Sequence, residues 1–226
     1  FRDQEEYYGT NDVWVSQQGD ALALQPFRPP ARIAALPGVA AVREYMGGLL
    51  DIGDRRTWII ARPAADRTLI PPSQMRVGNH ATATARLRSG GWITIAEPLA
   101  RERDLGVGEM IELPTPTGLR RYRIAAITTN LGWGPGAIVM RAADYRRDWA
   151  TDVPTALEVD VEPGVSPARV RDEIRATLGP ASGLQVQTTA ERTADANAIV
   201  RDGLARLQQI SSLLLTAAAL AIGWLS

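Results

Sequence analysis

The strongest hydrophobic pattern in the chain is an uncharged apolar run at its C-terminal end, ISSLLLTAAALAIGWL, from Ile210 to Leu225. As a helix these residues extend about 24 Å, whereas the hydrocarbon core of a bilayer is about 30 Å thick. A helix that is apolar on all sides lies either in lipid or deep in a protein core. The run therefore predicts the beginning of a transmembrane helix, with a buried core helix as the alternative. The residues predicted to begin this span are Leu213, Leu214, Leu215, Leu220, Ile222 and Trp224.

An apolar stripe continues upstream of this run. Its members recur every three or four residues, the period of one helix face; they are Ala196, Val200, Leu204, Leu207, Ile210 and Leu214. We therefore predict one continuous helix over 191–225. Its stalk positions outside the bilayer are Val200, Leu204, Leu207 and Ile210. Stalk and span together occupy 190–226, and the polar N-terminal segment 1–11 is predicted to be a matching stalk.

The two flanking parts of the middle region, 12–66 and 153–189, predict one open-sheet α/β module. Its predicted strands are 12–16, 39–46, 56–61, 155–161 and 184–188, and its predicted helices are 28–36 and 166–178. Both helices carry proline near their start, where the missing N–H and the fixed φ fit the first turn. The order β-α-β-β, then β-α-β, is typical of an open sheet with helices on one side.

The segment between these parts, 67–152, predicts an inserted β-rich subdomain. Its predicted strands are 92–95, 110–113, 119–129 and 137–140, and its predicted helices are 97–105 and 142–149. Residues 63–90 are polar and contain Pro71-Pro72, which predicts irregular structure there. The whole chain is thus predicted to be an α+β protein.

The charge balance excludes some partners and some chemistry. The chain has 25 basic and 25 acidic residues, and every basic residue is arginine. A net charge of zero gives no broad positive field for nucleic acid. The absence of cysteine excludes disulfides, thiol catalysis and cysteine-based metal sites, and the absence of lysine excludes a P-loop.

Candidate catalytic residues are few. His80 is the only histidine, and no cluster of further metal ligands accompanies it in the sequence. There is no G-x-S-x-G motif, and no Ser/His/Asp set can be assembled. We therefore expect no enzyme activity, no catalytic residues, no bound metal and no cofactor in this chain.

A glycine-rich loop, GWGPG at 132–136, is the most distinctive local motif. Its glycines permit positive φ and its proline stiffens one position, which favours a shaped protrusion. In one interpretation Leu131, Trp133 and Pro135 form an exposed contact for a partner protein, a lipid or a sister subunit. In the other, Trp133 folds back and caps the β core.

The arginines Arg120, Arg121 and Arg123 form a second local cluster. The simplest interpretation is a solvated strand face. The alternative is a contact for anionic lipid or cell-wall polymer.

Several segments together resemble the extracytoplasmic domain of FtsX-like (MacB-type) ABC transporter permeases. They are LPGVAAV at 36–42, WITIAEPLARERDLGVGEMIEL from Trp92, RYRIAAIT from Arg121, IVMRAADY from Ile138, and VDVEPGVSPARVRDEIRATLG from Val159. The resemblance covers most of 12–225, with 63–90 poorly matched. Glu109 stands where the family usually has Asp, and Ala125-Ala126-Ile127 replaces the usual Val-Gly-Ile. These differences concern a turn and packing, so they leave the implied fold intact.

The resemblance implies a permease subunit of the cytoplasmic (inner) membrane, with this domain on its extracytoplasmic face. The implied partners are a separate cytoplasmic ABC ATPase, a second permease copy or homologous permease, membrane lipid, and an extracytoplasmic protein or lipoprotein. We expect the domain to couple ATP hydrolysis to movement outside the membrane, for export, extraction or mechanotransmission. The alternative is a non-transporting scaffold or sensor that recruits or regulates an extracytoplasmic protein such as a cell-wall hydrolase.

Overall fold

The computed structural model describes residues 11–17, 25–66, 68–131, 134, 136–195, 198 and 201. The chain divides into two compact units between Thr188 and Thr189. The first unit is an α+β domain, as the sequence predicts. In the second unit the described residues 189–195, 198 and 201 are helical.

Ten strands and four α-helices are found in the described part of the first unit. The strands are β1 (Val13–Gln17), β2 (Val39–Ile52), β3 (Arg55–Arg62), β4 (Met75–Val77), β5 (Trp92–Ala96), β6 (Met110–Thr115), β7 (Gly118–Thr128), β8 (Ala137–Arg141), β9 (Ala156–Val161) and β10 (Leu184–Thr188). The helices are α1 (His80–Ser89), α2 (Glu97–Glu102), α3 (Ala142–Trp149) and α4 (Pro167–Leu178). Short 3-10 helices occupy Ala31–Ala35, Pro72–Gln74 and Pro180–Ser182.

The strands form one continuous path of pairing, in the order β10-β1-β9-β2-β3-β8-β5-β7-β4, with β6 also paired to β7. The β3–β8 and β5–β7 pairs are parallel and the other pairs are antiparallel. The long strand β7 pairs with β6 along its first half and with β4 at its end. β3 lies directly beside β8, so strand pairing runs across the boundary predicted at 66/67. The division into an α/β module and an insertion stays a prediction.

Three groups of buried side chains form the core. On one face of β3, β8 and β5, Ile59, Ile138 and Ile95 pack beneath α2 and α3. On the opposite face, alternate residues such as Ile60 and Val139 pack beneath α1. This two-sided burial explains the uninterrupted apolar run WIIA at 58–61 in β3, since a strand segment covered on both faces has no polar side. The third group holds α4 against β1, β9 and β10.

Most predicted elements match the observed ones, and four differ, including β2, which was predicted to end at 46 and extends to Ile52. The predicted irregular segment 63–90 contains β4 and the ten-residue helix α1, which Asn79 caps by accepting a hydrogen bond from the Thr82 N–H (3.0 Å). The helix predicted over 28–36 is only the 3-10 turn Ala31–Ala35, which has no side-chain cap. The helix predicted over 97–105 ends at Glu102.

Candidate functional site

The first and last strands of the first unit are adjacent in the sheet. β1 and β10 are antiparallel neighbours, and Val13 is paired with Thr188. At the start of β1, the N–H of Asp12 donates to the Val159 carbonyl (3.1 Å), and the Asp12 carboxylate accepts from the N–H of Val161 (2.7 Å). The beginning of β1 is therefore held on both sides, by β10 and by β9.

β2 connects the two parts of the sheet. Its 14 residues are far more than the usual five or six. Its first half, 39–45, pairs with β9, and its second half, 46–52, pairs with β3. Gly47 lies where β2 changes its pairing partner from β9 to β3. Because it has no side chain, the β3 backbone can approach it closely; a Cβ at this position would lie 2.2 Å from the Ile59 carbonyl oxygen. A single strand thus links the part of the sheet that contains β1, β9 and β10 with the part that contains β3 and β8.

A buried cluster of charged side chains lies where these two parts meet. Arg62, at the end of β3, donates to Glu158 of β9 (Nη1–Oε2, 2.5 Å), and the two residues are 5% and 3% exposed. Arg43 of β2 donates to both carboxylate oxygens of Asp160 (2.6 and 2.9 Å). Asp66 lies 3.5 Å from Arg62. Because β3 and β9 are not neighbours in the sheet, the Arg62–Glu158 bond fastens its two parts directly.

The electrostatics of this cluster follow from its burial. Burial raises the pKa of the Asp66 carboxyl, and the charge of Arg62 offsets only part of this effect. Burial likewise raises the pKa of Asp160, against the opposing effect of Arg43. The cluster contains more carboxylates than guanidinium groups. Burying all of these groups in their charged form therefore costs free energy, and removing either arginine would raise that cost.

Aromatic side chains form the wall of the cluster. The indole N–H of Trp58 donates to the Tyr45 hydroxyl (3.0 Å), and the Arg62 guanidinium lies 5.6 Å from the centre of the Tyr45 ring. Trp14 of β1 contacts the same ring edge-on, with centroids 5.1 Å apart. These contacts connect β1, β2 and β3 through one group of large, closely packed side chains.

A second buried carboxylate lies beneath α3. Asp148 is fully buried and accepts hydrogen bonds from the Tyr122 hydroxyl and from Arg147 (2.6 and 2.7 Å). Burial raises the pKa of Asp148, but the bonds from Arg147 and Tyr122 outweigh it, so the net result is a lowered pKa. Burial and the hydrogen bond to Asp148 raise the pKa of the Tyr122 hydroxyl. This arrangement attaches α3 to β7 and offers no open face to a substrate.

In the predicted exposed loop contact, the position of Leu131 is wrong and the other two residues are not described. Leu131 is fully buried and packs in the core beneath α1, so it is not available as an exposed contact. Its backbone has φ +51° and its N–H donates to the Thr129 hydroxyl (3.2 Å), which turns the side chain inward. Trp133 and Pro135 lie outside the described residues, so the choice between an exposed contact and a cap stays open.

The predicted stalk and membrane-span positions also lie outside the described residues. They are Val200, Leu204, Leu207, Ile210, Leu213, Leu214, Leu215, Leu220, Ile222 and Trp224. Within the described part of the chain, no helix has both the length and the apolarity to cross a membrane.

His80 and the arginine cluster have ordinary neighbours. His80 is the first residue of α1, and its Nε2 lies 2.8 Å from the Ile70 carbonyl oxygen. Arg120 lies near the buried Asp148 (3.5 Å), whereas Arg121 pairs with Glu112 (2.8 Å) and Arg123 lies over the Trp92 ring. The three arginines are therefore not one patch, since successive strand residues point to opposite faces.

Comparison with known proteins identifies the fold. No family model matches the chain, and no curated protein matches it in sequence. The periplasmic region of MacB from Actinobacillus actinomycetemcomitans matches with a TM-score of 0.52 and 8% identity, over 85% of this chain and 95% of that one. The extracellular domain of the noncanonic ABC-type transporter YknZ from Gram-positive bacteria matches with a TM-score of 0.51 and 11% identity, over 78% of this chain and 100% of that one.

The resemblance inferred from sequence is thereby confirmed for the fold. The chain has the α+β fold of MacB-type extracytoplasmic domains, with a large sheet and helices packed on it.

Proposed function

We propose that this chain is the extracytoplasmic domain of an ABC transporter permease subunit, and that it couples ATP hydrolysis by a separate cytoplasmic ATPase to movement outside the membrane. The observation that carries the proposal is the pairing of Val13 with Thr188, in a fold shared with the MacB and YknZ domains. Two segments that join a domain at one paired position can displace it as a rigid body, because neither can move without the other.

The contacts inside the domain support this mode of action. β9 holds β1 on one edge and the first half of β2 on the other. β2 continues into its pairing with β3, and the Arg62–Glu158 bond links β3 back to β9. A displacement applied at the β1–β10 edge would therefore reach β8, β5 and β7 through paired strands and a buried ion pair, with no loop as the sole connection.

In this proposal the chain itself performs no catalysis and needs no cofactor. The ATPase supplies the free energy, a second permease copy or homologous permease supplies the matching outer domain, and membrane lipid surrounds the segment that follows the stalk. The domain acts at the extracytoplasmic face of the cytoplasmic membrane, for export, extraction or mechanotransmission.

The test uses the full permease with its ATPase in nanodiscs. The chain contains no cysteine, so an R169C variant places a spin label on the exposed side of α4. We expect the label-to-label distance between two copies to change when ATP and vanadate are added. Inserting two glycines after Leu204 should abolish that change while ATP hydrolysis continues, because a flexible stalk cannot transmit displacement.

The matched control inserts the same two glycines after Gly164, in an exposed turn between β9 and α4. This variant should retain the ATP-dependent change. An unaltered distance change in the Leu204 insertion variant would show that the stalk is not the route of coupling. A scaffold instead predicts a stable protein complex whose affinity is the same with and without ATP.

A further inference from the structure

The outer face of the β6–β7 hairpin is an exposed sheet face that carries both arginines and large apolar side chains. Residues alternate along both strands, so that Ile111, Leu113 and Tyr122 are buried while their neighbours face solvent. The solvent-facing cross-strand pairs are Met110 with Arg123, Glu112 with Arg121, and Pro114 with Leu119. α1 packs against the second half of β7, and its Arg86 borders this face.

Two arginines on this surface share one aromatic ring. The guanidinium carbon of Arg86, on α1, lies 4.4 Å from the centre of the Trp92 ring, and that of Arg123 lies 5.5 Å from it. Neither guanidinium forms an ion pair with a carboxylate of the described residues, and the one carboxylate of the face, Glu112, is bound by Arg121 (2.8 Å). Two like charges are thus held near one indole without a counter-charge.

A guanidinium held beside an aromatic ring by a cation–π contact can still bind an anion. The ring supplies no hydrogen-bond acceptor in place of a carboxylate, so the N–H groups can donate in pairs to a carboxylate or phosphate. Holding Arg86 and Arg123 on Trp92 also removes side-chain freedom before a ligand arrives, which lowers the entropy cost of binding.

The same face carries exposed apolar side chains. Four large hydrophobic residues are exposed in the described part of the chain, and two of them, Leu119 (68%) and Met110 (45%), belong to this hairpin face. Apolar groups gain nothing against a polyphosphate or an anionic polysaccharide, whereas they are typical of contacts with another protein.

We propose that this surface, defined by Arg86, Trp92, Met110, Leu119, Arg121 and Arg123, binds an acidic, partly apolar segment of a partner protein. Carboxylates of the partner pair with the arginines stacked on Trp92, and its apolar side chains cover Met110 and Leu119. The proposal concerns a binding surface and does not depend on whether the domain transmits force.

The test measures binding of a short fluorescein-labelled peptide of Glu and Leu to the full chain in detergent, by fluorescence anisotropy. We expect R86Q/R123Q and, separately, M110S/L119S to weaken binding by about tenfold each. The control R32Q/R169Q removes the same charge from two exposed arginines elsewhere and should bind as the wild type does. Peptides with Gln for Glu, or Ser for Leu, should bind more weakly.

Two results would overturn the proposal. In the first, R86Q/R123Q binds the Glu/Leu peptide as tightly as R32Q/R169Q does, so the arginines contribute only general charge. In the second, inorganic polyphosphate or phosphatidylglycerol vesicles bind M110S/L119S and the wild type equally well and displace the peptide, so the occupant is a polyanion or a membrane rather than a protein segment. Circular dichroism of each variant verifies that the fold is retained.

Discussion

Val13 and Thr188 are direct cross-strand partners, although 175 positions separate them in the sequence. Both residues are buried, and the next in-register pair on the same face, Val15 with Val186, packs against α4. The first and last strands of the domain are therefore neighbours on the edge of the sheet.

The register of this pair is directly testable. Because no native cysteine interferes, a V13C/T188C variant should form an intramolecular disulfide on mild oxidation, detectable by mass spectrometry of tryptic peptides. V13C/Q187C is the control, since Gln187 points to the opposite face of β10 and should not react. Equal yields from the two variants would mean that β1 and β10 are paired differently.

The ion pair between Arg62 and Glu158 should be important for stability. An E158Q substitution replaces the buried carboxylate that accepts from Arg62 at 2.5 Å with a neutral amide, so Arg62 loses its nearest counter-charge and we expect the free energy of unfolding to fall by about 2 kcal/mol. Urea denaturation followed by tryptophan fluorescence measures this loss. D51N is the matched control, because the Asp51–Arg56 pair is mostly exposed and should contribute little. Similar losses in both variants would contradict the linking role of the buried pair.

Regular alternation explains why most strands were predictable from sequence. β5, β8, β9 and β10 all lie within a residue or two of their predicted limits, because apolar residues and turn signals define them locally. β2 extends to Ile52 rather than ending at 46, because its second half is stabilised by pairing with β3, a contact that local patterns do not contain.

α1 was missed for a different physical reason. Its sequence, HATATARLRS, has threonines at positions that look polar, and only Ala83, Thr84 and Leu87 are buried. A helix that buries such small residues shows almost no amphipathic pattern. The cluster of Arg43, Arg62 and Glu158 was equally unpredictable, since Glu158 belongs to β9 and lies 96 residues from Arg62 in the sequence.

The signal that identifies α1 is its N-cap. Asn79 accepts a hydrogen bond from the Thr82 N–H, so N79A should lower the free energy of unfolding by about 1 kcal/mol. N79D retains an acceptor and should behave nearly as the wild type. Chemical denaturation at neutral pH distinguishes the two, and an equal loss in both would mean that the cap is not the source of the stability.

Asp148 should make stability sensitive to acid. Its pKa lies below the ordinary value of 3.8, so it contributes stability above pH 3.8 that is lost as the pH falls through its folded-state pKa. The difference in free energy of unfolding between the wild type and D148N should therefore be about 2 kcal/mol at pH 7 and should shrink below pH 3.8.

The pKa of Asp66 is shifted in the opposite direction to that of Asp148. Burial raises its pKa, so its contribution to stability is complete below pH 3.8 and is lost as the pH rises through its folded-state pKa. The wild type should thus lose stability relative to D66N as the pH rises, the reverse of the D148N trend. Urea denaturation across pH 3 to 7 measures both trends, and parallel curves for the two variants would refute the assignment.

Gly47 should be indispensable where β2 exchanges partners. A Cβ at Gly47 would lie 2.2 Å from the Ile59 carbonyl oxygen, which is backbone and cannot rotate away, so G47A must displace β3. We expect a loss of about 1–3 kcal/mol in the free energy of unfolding. The adjacent Gly48 meets only the Tyr145 hydroxyl, at 3.9 Å, so G48A should have little effect and controls for the change in glycine content. Equal stability of G47A and G48A would mean that β2 and β3 do not approach as closely as the pairing of Gly47 with Ile60 requires.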